Sequence, residues 1–192
     1  MAVEPYKSDT SMTIQPAFSI RVGMEEDAFA LAKLCSETFY ATYHEANTPK
    51  NMQAYISEHF TGQHLLKELN DSDNIVFLAS IGNALIGYIS LNIGLKSHLD
   101  GFPAAEICRF YVLKKFQHLK VGRALINKAF EWTKTRGFTT IWLGVWQENA
   151  LAISIYEHLG FVITGTNKFI FGDEVQDDFV MSRSMVTNSD PE

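Results

Sequence analysis

Between residues 105 and 145 the chain reads as strand, helix, strand, and hairpins flank that unit on both sides, an order that leaves few folds open. Parallel neighbours need a crossover, which a helix supplies, whereas the strands of a hairpin are antiparallel. Ile75–Ile81 and Leu85–Ile93 are apolar, β-branched runs separated by Gly82, Asn83 and Ala84, which predicts the first hairpin. Phe161–Phe171 and Gln176–Ser184, turned at Gly172-Asp173, predict the last. Ala105–Leu113 and Thr140–Val145 are the strands of the crossover unit. The helix between them, Val121 to Arg136, carries Val121, Ala124, Leu125, Ala129 and Trp132 on one stripe, and Gly137 stands where a C-terminal cap belongs. Upstream, Phe18–Val22 predicts a short strand. Ala28, Leu31, Cys35, Thr38 and Phe39 fall on one helical face, and a second helical region runs from Pro49 to about Leu69, broken near Gly62. Asn149–Leu159, closed by Gly160, is a further helix. Such an order predicts an α/β domain with a mixed sheet and helices on both faces.

Length and composition fit one domain with short tails: 192 residues, 46% hydrophobic and 20% charged. Residues 1–17 mix Pro5, Pro16, Ser, Thr and Asp without periodicity and predict a flexible tail, as do residues 187–192; the domain is expected over 18–186. A formal charge of −6 argues against a nucleic-acid partner, whose phosphates favour basic faces. It is compatible with a cationic small substrate and equally with plain solubility. Cys35 and Cys108 lie in apolar stretches without metal-ligand or disulfide spacing, so no metal is expected. No signal-peptide core stands in Met1–Gln15 and no run nears the ~18 apolar residues of a membrane span, so a cytoplasmic protein with no membrane partner is expected.

Between the third long strand and its helix lies Lys114-Lys115-Phe116-Gln117-His118-Leu119-Lys120-Val121-Gly122-Arg123-Ala124. A strand, a turn and a helix N-terminus in succession offer free N–H groups to an anion. Gly122 lets backbone approach closely, and Lys115, Lys120 and Arg123 add positive charge. The loop lacks the pattern of a nucleotide P-loop and of a dinucleotide fingerprint. Taken alone, it is equally an ordinary connection with solvated lysines.

The segment Asn149-Ala150-Leu151-Ala152-Ile153-Ser154-Ile155-Tyr156-Glu157-His158-Leu159-Gly160-Phe161 resembles the second half of the GNAT acetyltransferase signature, Asn-x-x-Ala-x-x-x-Tyr-x-x-x-Gly-Phe. The earlier loop resembles that superfamily's acetyl-CoA motif, Arg/Gln-x-x-Gly-x-Gly/Ala, with Gln117 at its first position, Gly122 at its last and Lys120 where the first glycine is expected. The strings Arg109–Val112, Trp142–Trp146 and Phe171–Asp177 resemble more narrowly the polyamine acetyltransferases of the bacterial Pai type.

The resemblance implies a GNAT fold: a central mixed, mostly antiparallel sheet, helices on both faces, and parallel strands 4 and 5 that splay apart. It implies acetyl-CoA as co-substrate and transfer of its acetyl group to a primary amine, a polyamine or other small amine, with no metal; a homodimer is compatible. The alternatives are a protein N-terminus, lysine or amino sugar as acceptor, or a non-catalytic acetyl-CoA-binding regulatory module. Backbone at Phe110, Tyr111 and Val112 is expected to hold the pantetheine arm. Gln117, His118, Leu119, Lys120, Val121, Gly122, Arg123 and Ala124 are expected around the pyrophosphate, and negative φ is the favoured reading at Lys120. Asn149 caps its helix, binds pantetheine, or does both. Tyr156 resembles the tyrosine that donates a proton or hydrogen bond to the CoA sulfur. Glu106 is the candidate base through one water, because strand alternation puts Glu106, Cys108, Phe110 and Val112 on one face. For the acceptor, Glu37, Tyr40, Tyr43, His44 and Glu45 lie near a helix end, and Trp146 follows the splayed strand; carboxylates and aromatics suit a polycation.

Overall fold

The computed structural model describes residues 17–94 and 103–186. Apart from Ala17, the expected tails lie outside the described residues, as does Gly101 of the loop before the third long strand. Seven strands form one sheet: β1 (Ser19–Val22), β2 (Asn74–Ile81), β3 (Ala84–Asn92), β4 (Ala104–Val112), β5 (Thr140–Trp146), β6 (Val162–Phe171) and β7 (Glu174–Ser184), ordered β1-β2-β3-β4-β5-β7-β6. Every neighbouring pair is antiparallel except β4 and β5. The helices are α1 (Ala28–Tyr43), α2 (Pro49–His59), α3 (Gly62–Asn70), α4 (Val121–Thr135) and α5 (Ala150–His158). The break expected near Gly62 falls between α2 and α3, where the Thr61 hydroxyl accepts from His64 N and starts a new helix.

Two cores sandwich the sheet. On one face Phe77, Ile89, Leu91, Ile107, Ile141, Leu143 and Met181 pack with Val121, Leu125 and Ala129 of α4 and with Phe161; Tyr156 and Leu159 of α5 border them. On the other, Val76, Leu78 and Tyr88 pack against Leu31, Cys35 and Phe39 of α1, Met52 of α2 and Leu65 of α3. Each fully buried leucine or phenylalanine contributes ~1.5–3 kcal/mol by leaving water. The β6–β7 hairpin is tied back to the helical layer. Asn51 Nδ2 donates to Phe171 O (3.3 Å) and to Asp173 Oδ1 (2.7 Å), and Gln176 Nε2 donates to Asn47 Oδ1 (2.8 Å). At the turn Gly172 has φ +64°, and a Cβ there would meet Asn51 Oδ1 at 2.4 Å, so both conformation and contact require glycine.

Two features of β4 shape the site. It pairs with β5 only from Ala104↔Thr140 to Ile107↔Leu143; beyond that the strands splay apart. Against β3 the register runs Leu91↔Ile107 and then Ser90↔Arg109, so Cys108 is the extra residue of a β-bulge. The bulge overturns the expected common face. Phe110 pairs with Ile89 and borders the α4 core, whereas Tyr111 pairs with Tyr88 and borders the α1 core. One added residue reverses the alternation, so Glu106 and Phe110 lie on opposite faces of the sheet.

Candidate active site

The splay leaves one edge of β4 without a strand partner. Leu113 N–H donates to Ile86 O, which fixes the alternation: Tyr111 and Arg109 bond toward β3, and the backbone groups of Phe110 and Val112 face the gap. Gln117 Nε2 donates to Val112 O at 3.2 Å. The gap leads into a groove of about 1020 Å3 between α4 and α5, lined by Phe110, Tyr111, Val112, Gln117, Lys120, Gly122 and Arg123 among others.

At the groove's mouth α4 begins without a side-chain cap, so Val121, Gly122 and Arg123 present N–H groups with no helical partner. The turn before it differs from expectation. Lys114–Leu119 is a 3₁₀ turn, Leu119 and Val121 are buried in the α4 core, and His118 is exposed. Lys120 has φ +60° and ψ 20°, the left-handed conformation rather than the negative φ expected. The 3₁₀ turn must hand over to an α-helix in one residue, and its N–H already bonds Gln117 O (3.3 Å). A Cβ there costs about 1–2 kcal/mol. Gly122 has no such conformational need, and a Cβ would meet Phe110 no closer than 3.4 Å. Its missing side chain leaves space on the groove side.

These residues fit a CoA thioester: free N–H groups and two cations for a pyrophosphate, an unpaired strand edge for an amide-bearing arm, and a groove for both. When bound, that group supplies an activated acetyl carbonyl on sulfur. Val121–Arg123 N–H would hold its phosphates, and Phe110 and Val112 would bond its arm as an added strand.

A second cavity, about 390 Å3, opens on the α1 face of the sheet. Tyr156 lines both, with Phe110, Tyr111, Leu151, Ala152 and Ile155, so the two spaces meet at α5. Asn149 caps α5, its Oδ1 accepting from Ala152 N at 3.2 Å, and also lines the second cavity. Burial, with the Tyr43 phenol nearby, holds Tyr156 well above the usual phenol range, so it remains a proton donor at neutral pH. The Tyr43 and Tyr111 hydroxyls lie 3.4 Å apart.

Of the acceptor residues expected from sequence, Tyr43 and Trp146 line this cavity. Glu37, Tyr40 and His44 do not: all three are exposed, and His44 Nδ1 and the ring lie against Tyr40. The inward stripe of α1 continues through Phe39, Thr42 and Tyr43, which places Glu37, Tyr40 and His44 around the helix from it. Glu106 lines the cavity; burial raises its carboxyl, and Oε2 is buried with no hydrogen-bond partner among the described residues. Asp178 of β7, not singled out from sequence, also lines it, with Oδ2 3.5 Å from the position a Gly144 Cβ would take. Burial, then the neighbouring Asp177, raise it to about 6. Strand alternation was its available signal: Asp178 and Val180 share a face, while Asp177 turns away to Lys168 (2.5 Å). Arg109 lines the wall, but its guanidinium is bonded to Glu68 of α3 and lies 5.8 Å from the Phe60 ring centre. Cys108 also lines the cavity and is exposed to it.

A split parallel pair, a helix start with free N–H groups and a phenol where two cavities meet are the arrangement of a CoA-dependent acyltransferase. The chain belongs to the acetyltransferase (GNAT) family, whose profile matches residues 31–161, and it is an acetyl-CoA-dependent N-acetyltransferase. It is 27% identical over 167 residues to an uncharacterised N-acetyltransferase in the pepI 3′ region of Lactobacillus delbrueckii subsp. lactis, covering 84% of this chain and 94% of that one. It is 27% identical over 146 residues to spermidine N(1)-acetyltransferase of Thermoplasma acidophilum, covering 74% and 86%. The crystal structure of the PaiA N-acetyltransferase of Thermoplasma acidophilum in complex with coenzyme A superposes with a TM-score of 0.73 at 26% identity, over 88% of this chain and 99% of that one. Among the described residues no helix is long and apolar enough to cross a membrane.

Proposed function

We propose that the chain acetylates a polyamine of the spermidine type, with the cofactor in the α4–α5 groove and the amine in the cavity under α1. The observation that carries this reading is the cavity's unbalanced charge. Glu106 and Asp178 have no hydrogen bond or ion pair among the described residues, and the guanidinium of Arg109 is already matched by Glu68. Both carboxylates are partly buried, and a carboxylate drawn out of water favours a ligand that brings a countercharge. Tyr43, Tyr55, Phe60, Trp146 and Phe169 supply rings for cation–π contact with alkylammonium groups. The spermidine acetyltransferase relative supports the same acceptor class.

In this reading Val121–Arg123 N–H, with Lys120 and Arg123, hold the phosphates. Phe110 and Val112 hold the arm, and Asn149 fixes the start of α5 so that Tyr156 reaches the sulfur. Tyr156 donates to the departing sulfur, and a cavity carboxylate receives the amine's proton. Alkyl amines carry a pKa near ~10, so desolvation in the aromatic cavity assists that transfer. The test is thiol release from acetyl-CoA with spermidine, propylamine, an amino sugar and a peptide N-terminus. The expected outcome is a kcat/KM for spermidine at least tenfold above the others; equal or better use of the peptide or sugar would overturn the polyamine reading.

A further inference from the structure

We propose that Asp178 binds the reacting ammonium and accepts its proton, while Glu106 holds a second ammonium of the same acceptor at the cavity's far end. The assignment rests on the polyamine reading above. It comes from the sheet register. Asp178 is paired with Trp146, at the open end of the split, and Glu106 with Trp142, where the strands are still joined. Four residues along β5 separate those levels and one strand spacing lies on each side, which sets the two backbones roughly 16 Å apart. After allowing for both side chains, an extended triamine bridges that span and a monoamine does not.

The junction residues single out Asp178 for the reacting end. The Tyr43 phenol lies within electrostatic range of both Asp178 and Tyr156, linking the acceptor carboxylate to the donor phenol. Glu106 has no such link; burial alone shifts it. Among the described residues the groups around Asp178 are Tyr43 from α1, Asp177 beside it on β7, Asn167 opposite on β6, and Gly144 and Trp146 on β5. Lys168 of β6 is bonded to Asp177. A carboxylate raised to about 6 is ionised at neutral pH yet more basic than an exposed aspartate.

The step balances. The ammonium passes one proton to Asp178, and the neutral nitrogen forms a C–N bond to the acetyl carbon as the C–S bond breaks. The sulfur takes the Tyr156 proton, the nitrogen's second proton restores the phenol, and Asp178 releases its own to solvent.

Asp178→Asn is expected to lower kcat/KM for spermidine and propylamine roughly 100-fold or more, to remove the acidic limb near pH 6, and to leave acetyl-CoA affinity within about threefold. A readout without turnover accompanies it. Asp178 is raised in the fold, so its charge opposes folding; that cost grows as pH climbs from about 4 through 6. D178N should therefore melt above wild type at pH 7.5 and level with it near pH 4, which also shows that the variant folds. Glu106→Gln should raise KM for spermidine roughly tenfold more than it raises KM for propylamine. A D178N rate within about threefold of wild type, or an intact acidic limb, overturns the role of Asp178. Equal KM changes for both amines in E106Q overturn the role of Glu106. Wild-type enzyme that uses propylamine as well as spermidine defeats the polyamine reading instead, and a D178N loss on propylamine would still uphold Asp178 as proton acceptor.

Discussion

Lys120 shows how one residue trades stability for ligand chemistry. Its left-handed backbone would suit glycine, yet a lysine holds the position beside three free N–H groups. Replacing it with glycine removes a steric cost of about 1–2 kcal/mol and also one cation that faces the groove. Lys120→Gly is expected to melt at or above the wild-type temperature and to bind acetyl-CoA several-fold more weakly at low ionic strength, a gap that closes in high salt as screening shortens the reach of the charge. Calorimetric titration at two salt concentrations checks this; unchanged affinity at low salt would mean that the lysine does not serve the phosphates. In the proposed reading Asp178 and Tyr156 follow the same pattern of polar groups held against burial where chemistry needs them.

At the scale of elements, the bulge in β4 decides which chamber each side chain enters. It needs an extra residue at 108, not a thiol, since the bulge is made by the backbone. Cys108→Ala should keep kcat/KM within about twofold, whereas deletion of residue 108 should abolish acetyl-CoA binding by reversing Phe110 and Val112. Normal binding by the deletion variant in calorimetry would show that the bulge does not orient the groove. Most elements were legible because burial marks the sequence: the stripe on α4, the continuous apolar runs of β2 and β3, the stop at Gly137. The bulge was not, because one unpaired residue leaves no mark on composition, and straight alternation then placed Glu106 with Phe110. Lys120 was misjudged since its φ is set by the junction of a 3₁₀ turn with a helix, not by its own side chain. The outward position of Glu37, Tyr40 and His44 was readable from the stripe through Leu31, Cys35 and Phe39; sequence proximity to a helix end was the weaker guide. Asp178 stayed hidden in an Asp-Asp pair, where only the strand's face tells the two apart.

For the whole molecule, the sheet is a partition with a slot. On one side α4 and α5 form a groove lined by Lys120 and Arg123; on the other α1, α2 and the β6–β7 hairpin enclose an acidic, aromatic chamber. In the proposed reading, opposite charges on the two sides keep the substrates from each other's site while the splay brings their reactive ends together at Tyr156. That meeting point is the central claim, and the most direct measurement is Tyr156→Phe with kcat and acetyl-CoA Kd determined in parallel. The expected result is a kcat lower by roughly 10- to 100-fold with Kd within about threefold, because only the proton to sulfur is lost. Equal losses of turnover and affinity would contradict it and make Tyr156 a packing residue of α5.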